Sequence, residues 1–124
     1  MQMPFTLTGT NLDAPDANAL AGFYRRILGW TVEVDEPGWV VLRPPDGGHT
    51  LNFQTESRYV RPVWPPDPGD PQMMMHLEIR VDDLQAAVEQ AVALGAAVAE
   101  FQPQEKVRVC LDPAGHPFCL FAGA

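Results

Sequence analysis

The feature that most constrains the fold of this chain is an internal duplication. Asp16 and Asp83 stand 67 positions apart, as do Gly48 and Gly115, and "LG" at 94 follows "LG" at 28 by 66 positions. One offset therefore holds from the first helical pattern to the last hairpin of each half. Because a half of this length buries little surface alone, we expect the two copies to share one core.

The final hairpins of the two copies align under this offset. "VVLRPPDGGHTLNF" lies over "VRVCLDPAGHPFCL", so that Val40 falls over Val107 and the two "GH" pairs coincide. His49 and His116 each follow a turn glycine at the same place in the repeat. This shared position indicates that the two histidines have a structural role in the hairpins rather than a catalytic one.

Each copy begins with a strand and then a helix. "PFTLTGTNLD" alternates apolar residues, and "DANALAGFYRRILGW" changes to helical spacing. Asp16 is suited to cap this first helix and Gly29 to end it. Asp82 or Asp83 caps the second, in "DDLQAAVEQAVALG". The predicted apolar faces are Ala17, Leu20, Ala21, Tyr24, Ile27 and Leu28 in the first helix, and Leu84, Ala87, Val88, Ala91 and Leu94 in the second.

Three strands follow each helix, which gives the order βαβββ twice. They are "WTVEVDE", "WVVLRP" and "HTLNFQTE" in the first copy; the second copy opens with "MMHLEIRV" and ends with "AAVAEFQP", "EKVRVCLD" and "HPFCLFA". We predict an α+β fold in a single domain over 1–124, with module 1 at about 4–55, a proline-rich connector at about 56–72 and module 2 at about 73–122.

Composition narrows the class of partner. The 124 residues carry a formal charge of −8, so nucleic acid and anionic membranes should be repelled. No run approaches the roughly 20 apolar residues of a membrane span, and the start lacks a secretion signal, so we expect a cytoplasmic protein without a membrane partner. Cys110 and Cys119 are too few for a disulfide scaffold and are expected to be reduced.

Three stretches, "LAGFYRRILGW", "HLEIRVDDLQAAVEQAVALGA" and "LDPAGHPFCLF", carry a family resemblance. Within the duplicated βαβββ order they resemble the vicinal oxygen chelate superfamily, in its glyoxalase-like domain subgroup. That superfamily contains glyoxalase I, extradiol dioxygenases, fosfomycin-resistance enzymes and metal-free bleomycin-resistance proteins. The resemblance implies a U-shaped mixed sheet around a cavity with the helices outside, and a homodimer. It is specific for fold and weak for reaction.

In metal-using members of the superfamily the ligands stand on the first and last strand of each module. In "MHLEIRV", alternation turns His76, Glu78 and Arg80 toward the cavity, and His76 matches the first-strand position. The resemblance places Cys119 at the last-strand position. Their equivalents in module 1, 67 residues earlier, are Gly9 and Asn52. These four positions offer no carboxylate, so we expect neither metal nor cofactor. The alternative is a divalent metal at His76, with Glu78 or Gln54 leaning in.

Cys119 has a further possible role. If "KVRVCLDPAGHPFCLF" folds as a hairpin around "DPAG", Arg108, Cys110 and Cys119 share the concave face. Arg108 would then lower the pKa of the Cys119 thiol and make it reactive, with His76 as base. The alternative is that the cysteine is a small buried hydrophobe.

Three large apolar side chains, Met74, Trp39 and Trp64, are candidates for adaptable walls around a flat guest, the alternative being core packing and turn anchoring. Trp64 lies in the connector, which can fold over the cavity mouth as a lid.

The sequence therefore predicts a metal-independent small-molecule binding protein, for drug or metabolite sequestration, with an aromatic or apolar guest that carries polar groups. The rival is a metal-dependent glyoxalase-like lyase or isomerase, or a dioxygenase. A subunit whose cavity is vestigial and whose surfaces serve assembly is a third possibility. The predicted ligand-binding residues are Asn52, Gln54, His76, Glu78, Arg108, Cys119, Trp64, Trp39 and Met74, and no catalytic residue is assigned.

Overall fold

The computed structural model of the protein describes residues 4–123. Its contacts divide the chain into two compact units, Met1–Tyr59 (unit 1) and Val60–Ala124 (unit 2). Each unit has one helix on a four-stranded mixed sheet in the order βαβββ, which confirms the predicted α+β class. Most of the predicted connector, from Val60 onward, belongs to unit 2.

The elements of unit 1 are β1 (Gly9–Ala14), α1 (Ala17–Leu28), β2 (Thr31–Glu36), β3 (Trp39–Arg43) and β4 (Thr50–Thr55). Those of unit 2 are β5 (Leu77–Val81), α2 (Leu84–Ala93), β6 (Ala97–Val98), β7 (Val107–Leu111) and β8 (Pro117–Ala122). The strand orders are β1-β4-β3-β2 and β5-β8-β7-β6. In both sheets the first and last strands pair in parallel and the other pairs are antiparallel.

Both helices begin and end close to the predicted signals. The Asp16 carboxylate accepts a hydrogen bond from Ala19 N, and Gly29 closes α1 with φ 68°. The Asp83 carboxylate caps α2 through Ala86 N. In unit 1 the ring of Tyr24 stacks on Phe53 with centroids 5.7 Å apart, which fixes α1 on β4. No helix within residues 4–123 is long and apolar enough to cross a bilayer.

The two units differ by one residue in their last hairpin. Leu42 pairs with Leu51, nine positions on, whereas Cys110 pairs with Phe118, eight positions on. The offset of 67 therefore holds between β4 and β8 but not between β3 and β7. The predicted equivalence of Val40 with Val107 was wrong. Val40 pairs with Phe53, and Leu120, the equivalent of Phe53 in unit 2, pairs with Arg108.

The first strand of each unit begins later than predicted. Residues 4–8 lie outside β1, although their apolar residues alternate. Residues 73–76 lie outside β5, although they include three methionines. Their large side chains stand in solvent, with Phe5 exposed by 88%, Leu7 by 80% and Met74 by 85%.

β6 is much shorter than the predicted strand "AAVAEFQP". The side chain of Gln102 takes over the pairing of β7, since its amide nitrogen donates to the carbonyls of Ala99 and Val109 at 2.9 Å. Its amide oxygen accepts from Val109 N at 3.0 Å. Backbone pairing of β6 therefore ends at Val98, with one further bond from Ala99 N to Val109 O.

Candidate functional site

Three predicted residues of unit 2 meet at one edge of its sheet. Glu78 on β5 stands opposite Cys119 on β8 in parallel register, and His76 precedes β5 by one residue. His76 Nε2 lies 2.8 Å from Glu78 Oε2, so the imidazole donates to the carboxylate. One ligand atom from each of the three side chains lies within 4.8 Å of the others. Strand alternation placed His76 and Glu78 on the same face, and the structure shows that their side chains are in contact.

Cys119 is buried, whereas its two neighbours reach solvent. Its residue is 3% exposed, against 29% for the His76 side chain and 53% for that of Glu78. Burial raises the pKa of the Cys119 thiol to about 12, and the charge and hydrogen bond of Glu78 add to this effect. Because a protonated thiol is a poor nucleophile and a poor metal ligand, this environment favours a structural role for Cys119.

Trp64 forms a wall beside this group. Its ring lies 4.9 Å from that of His76, tilted by 31°, and meets the ring of Phe101 edge-on at 5.2 Å. The segment that carries it is closed on itself, because Val63 N donates to Pro71 O at 2.8 Å and Val63 forms a bridge with Gln72. The connector therefore supplies a fixed aromatic face to unit 2.

A cavity of about 190 Å³ opens between the wall and the sheet. Trp64, His76, Glu78 and Cys119 line it together with Val107 and Val109. Sequence reasoning missed both valines, although the correct hairpin register would have found them, since Val109 stands opposite Cys119. It also missed Pro103 and Gln104, which line the cavity from the loop before β7. This loop lies in no regular element and gives no periodic signal.

The register corrects the predicted face of Arg108. Arg108 pairs with Leu120 and Cys110 with Phe118, so both lie on the face opposite to Cys119. The Arg108 guanidinium donates to three backbone carbonyls, the closest being that of Glu105 at 2.8 Å. Arg108 therefore holds its own loop, and the expectation that it activates Cys119 from a shared face was wrong.

Three other predicted residues share one face of the unit 1 sheet. Trp39 pairs with Gln54, and Asn52 lies two residues before Gln54 on the same strand. Asn52 is held by its neighbours, since its amide nitrogen donates to Asn11 Oδ1 at 2.8 Å and its amide oxygen accepts from Thr50 Oγ1 at 2.8 Å. These bonds use its polar atoms within unit 1.

Gly9 stands where module 1 would present its first-strand ligand. A Cβ atom at Gly9 would collide with Thr50 Oγ1 and would come within 2.9 Å of Asn52 Nδ2. The space that a ligand side chain needs is therefore filled by unit 1 itself.

The residues present do not fit the metal site that the resemblance implies. Unit 1 supplies neither imidazole nor carboxylate at its two positions, Gly9 and Asn52. Unit 2 supplies an imidazole, a carboxylate and a buried thiol, so all three groups come from one unit. Zinc accepts such a mixed set of ligands more readily than iron or manganese does.

The remaining candidates do not line the unit 2 cavity. Met74 does not line the unit 2 cavity, and its exposure leaves it outside any wall there. His49 Nε2 contacts Thr10 Oγ1 at 2.7 Å, and His116 Nδ1 lies 2.9 Å from the buried carboxylate of Asp112. His116 thus holds its own hairpin, as its position in the repeat indicated, whereas His49 ties its turn to β1.

Unit 1 has a smaller recess of about 120 Å³ between α1 and the strands β2 and β3. Asn18, which lines it, donates to Glu36 O at 3.0 Å and accepts from Gly38 N at 2.9 Å. Its polar atoms tie the β2–β3 turn to the helix, so this recess is part of the scaffold.

Comparison with known proteins places the chain in a family. The sequence model of the family described as "Glyoxalase-like domain" matches residues 9–121. The chain belongs to the glyoxalase-like domain family. This confirms the resemblance that the duplicated motifs carry. A search of curated proteins found no match.

Solved structures share the fold of this glyoxalase-like domain. A glyoxalase/bleomycin resistance protein/dioxygenase family enzyme from Burkholderia phytofirmans PsJN is 20% identical with a TM-score of 0.70, over 94% of this chain and 97% of that one. TnmS3, an antibiotic binding protein from Streptomyces sp. CB03234, is 21% identical with a TM-score of 0.64, over 99% and 100% of the two chains. A glyoxalase-related enzyme from Fulvimarina pelagi is 19% identical with a TM-score of 0.68, over 95% and 88%.

Proposed function

We propose that this glyoxalase-like domain is a small-molecule binding protein that holds its guest in the unit 2 cavity without a metal ion, and so sequesters a drug or metabolite. The observation that carries the proposal is the convergence of Trp64, Val109 and Glu78 on one cavity. Apolar and aromatic walls with a few convergent polar groups are typical of small-molecule sites. The antibiotic-binding function of TnmS3, a protein of the same fold, supports this choice.

Two features support binding without metal. In unit 1 the positions that the resemblance assigns to ligands are Gly9, whose side-chain space is filled, and Asn52, whose amide is already hydrogen-bonded. In unit 2 the proton on Cys119 must be removed before the sulfur can bind a metal, and its raised pKa opposes this.

Elemental analysis tests the metal-independent part. Protein purified without chelator should contain no stoichiometric transition metal. About one ion per chain would contradict this part of the proposal.

Ligand binding tests the cavity itself. In a thermal-shift screen of aromatic metabolites and antibiotics, at least one compound should raise the melting temperature of the wild-type protein, because a ligand that binds only the folded state stabilises it. Trp64→Ala should lose this shift, since it removes the cavity wall. Trp30→Ala is the matched control, because Trp30 does not line the cavity. Equal loss in both variants, or no hit for the wild type, would count against the proposal.

A second candidate function is a metal-dependent lyase, isomerase or dioxygenase. The observation that favours it is the grouping of His76, Glu78 and Cys119 within 4.8 Å. Its test is a titration with Co²⁺, in which ligation by Cys119 gives a thiolate charge-transfer absorption that disappears in Cys119→Ser. Activity that depends on added Ni²⁺, Mn²⁺ or Fe²⁺ and is lost in His76→Ala would establish this function in place of the first.

The expected assembly is a cytoplasmic homodimer. The exposed apolar side chains of Phe5 and Leu7 in unit 1, and of Met74 in unit 2, support self-association of the chain. Light scattering on the purified protein distinguishes a dimer from a monomer of 13.6 kDa.

A further inference from the structure

The charge of the unit 2 cavity is one-sided. Glu78 is its one carboxylate, and none of the described residues that line it is a lysine or an arginine. The carboxylate of Glu78 contacts the imidazole of His76 through a single nitrogen and accepts a hydrogen bond from the thiol of Cys119. Because the Glu78 side chain remains 53% exposed, part of its carboxylate stays accessible from the cavity.

The indole ring of Trp64 lines the same space. Its contacts with His76 and Phe101 fix the orientation of the ring, so the face does not have to be ordered when a guest arrives. The face of an indole carries negative electrostatic potential and attracts cations, most strongly where water is displaced. Indole face and carboxylate thus favour the same sign of charge in the guest.

The size of the cavity limits what enters it. Its volume of about 190 Å³ lies below the roughly 300–1,000 Å³ typical of sites that enclose drug-sized ligands. We therefore expect it to take one head group or ring, while the rest of the guest extends past Glu78 to solvent.

We infer that the unit 2 cavity recognises an organic cation, an alkylated or protonated amine attached to an aromatic or apolar body, through an ion pair with Glu78 and contact with the face of Trp64. This inference rests on the proposed function and names the chemical class of its guest. The formal charge of −8 adds a long-range attraction for cations. An anionic guest would be repelled by the Glu78 carboxylate and by the negative potential of the Trp64 face.

The test compares three small aromatic probes that differ in charge: benzyltrimethylammonium, benzyl alcohol and benzoate. Binding is followed by titration of tryptophan fluorescence and by calorimetry at low salt. Benzyltrimethylammonium should bind about tenfold more tightly than benzyl alcohol, and benzoate should bind most weakly. This comparison uses the wild-type protein and therefore does not depend on the folding of any variant.

Glu78→Gln keeps the size of the side chain and removes its charge. It should abolish the preference for benzyltrimethylammonium over benzyl alcohol. Glu89→Gln, which removes an exposed carboxylate from α2 of the same unit, should retain that preference. The control thus separates local recognition by Glu78 from the attraction of the whole negative chain.

The outcomes separate this inference from the proposed function. Equal binding of the cation and the alcohol, or a cation preference that survives Glu78→Gln, overturns the inference while the cavity remains a binding site. If no probe binds and the thermal-shift screen also gives no hit, both the inference and the proposed function fall.

Discussion

His76 Nε2 lies 2.8 Å from Glu78 Oε2, and the same carboxylate accepts a hydrogen bond from the thiol of Cys119. One carboxylate thus joins an exposed imidazole to a buried sulfur. The charge on Glu78 affects the ligand cavity and the chemistry of Cys119 together.

The first prediction concerns the reactivity of Cys119. Because its pKa is raised to about 12, the native thiol should resist alkylation by iodoacetamide at pH 8, as should Cys110, whose pKa is also raised by burial. Glu78→Gln should increase the rate only slightly, since burial is the largest cause and remains. Peptide-resolved mass spectrometry measures both sites. Fast alkylation of Cys119 in the folded protein would show that the thiol is activated instead.

The same shift predicts a pH dependence of stability. Above pH 9.0, the ordinary pKa of a thiol, the unfolded state loses the Cys119 proton, whereas the folded state keeps it. The stabilisation is therefore complete below about pH 9 and is lost as pH rises toward about 12. Urea unfolding across this range should show a steeper decline in the free energy of unfolding for the wild type than for Cys119→Ala. Parallel curves for the two proteins would refute the prediction.

A pair of glycine substitutions should have opposite effects. Gly9→Ala should lower the free energy of unfolding by about 1–3 kcal/mol, because the new methyl group collides with Thr50 and Asn52. Gly22→Ala should raise it by about 0.5–1 kcal/mol, since its Cβ meets Arg26 Nη1 at an ordinary 3.5 Å within helix α1. Urea denaturation gives both values, and a stable Gly9→Ala protein would mean that the site has room for a side chain.

Asp112 should be important for the stability of unit 2. Its buried carboxylate accepts from Ala114 N at 2.9 Å, His116 N at 3.0 Å and the His116 ring. Asp112→Ala removes this buried acceptor from part-buried donors and should cost about 2–3 kcal/mol in the free energy of unfolding. Asp46→Ala is the matched control in the unit 1 hairpin, where an exposed carboxylate accepts from Gly48 N, and its cost should be below about 0.5 kcal/mol. Similar costs in denaturant melts would contradict the importance of burial.

Gln102→Glu tests whether an amide replaces strand pairing. A carboxylate can still accept from Val109 N, but its second oxygen would face the carbonyls of Ala99 and Val109, so we expect a loss of about 1–3 kcal/mol. Gln85→Glu, exposed in the first turn of α2, should be neutral or slightly stabilising. Thermal denaturation followed by circular dichroism compares the two, and an unchanged Gln102→Glu melt would refute the role of the amide.

The elements that followed from sequence are those with local signals. Helix α1 was predictable because Asp16, Gly29 and the apolar spacing act within a few residues. The face of Arg108 was not, because one residue fewer in the turn before Pro117 changes the register and turns every side chain of β7 over. Such a change leaves no trace in the alternation of the strand itself.

The site was predicted in part for the same reason. His76, Glu78 and Cys119 follow from strand parity and the family pattern, and Trp64 from its position in a connector near the cavity. The contribution of Gln104 depends on a loop without periodicity. The contact between Glu78 and His76 depends on side-chain rotamers, which residue order does not specify.

The side chain of Gln102 bonds to both hydrogen-bonding groups of Val109. The carbonyl also accepts from Ala99 N, but the N–H of Val109 would otherwise belong to an open rim of the unit 2 sheet. An open rim can recruit a strand from another molecule and begin the growth of insoluble aggregates. We therefore expect the Gln102 amide to limit cross-β pairing at Val109, a cavity-lining residue, in a chain that also leaves Phe5, Leu7 and Met74 in solvent.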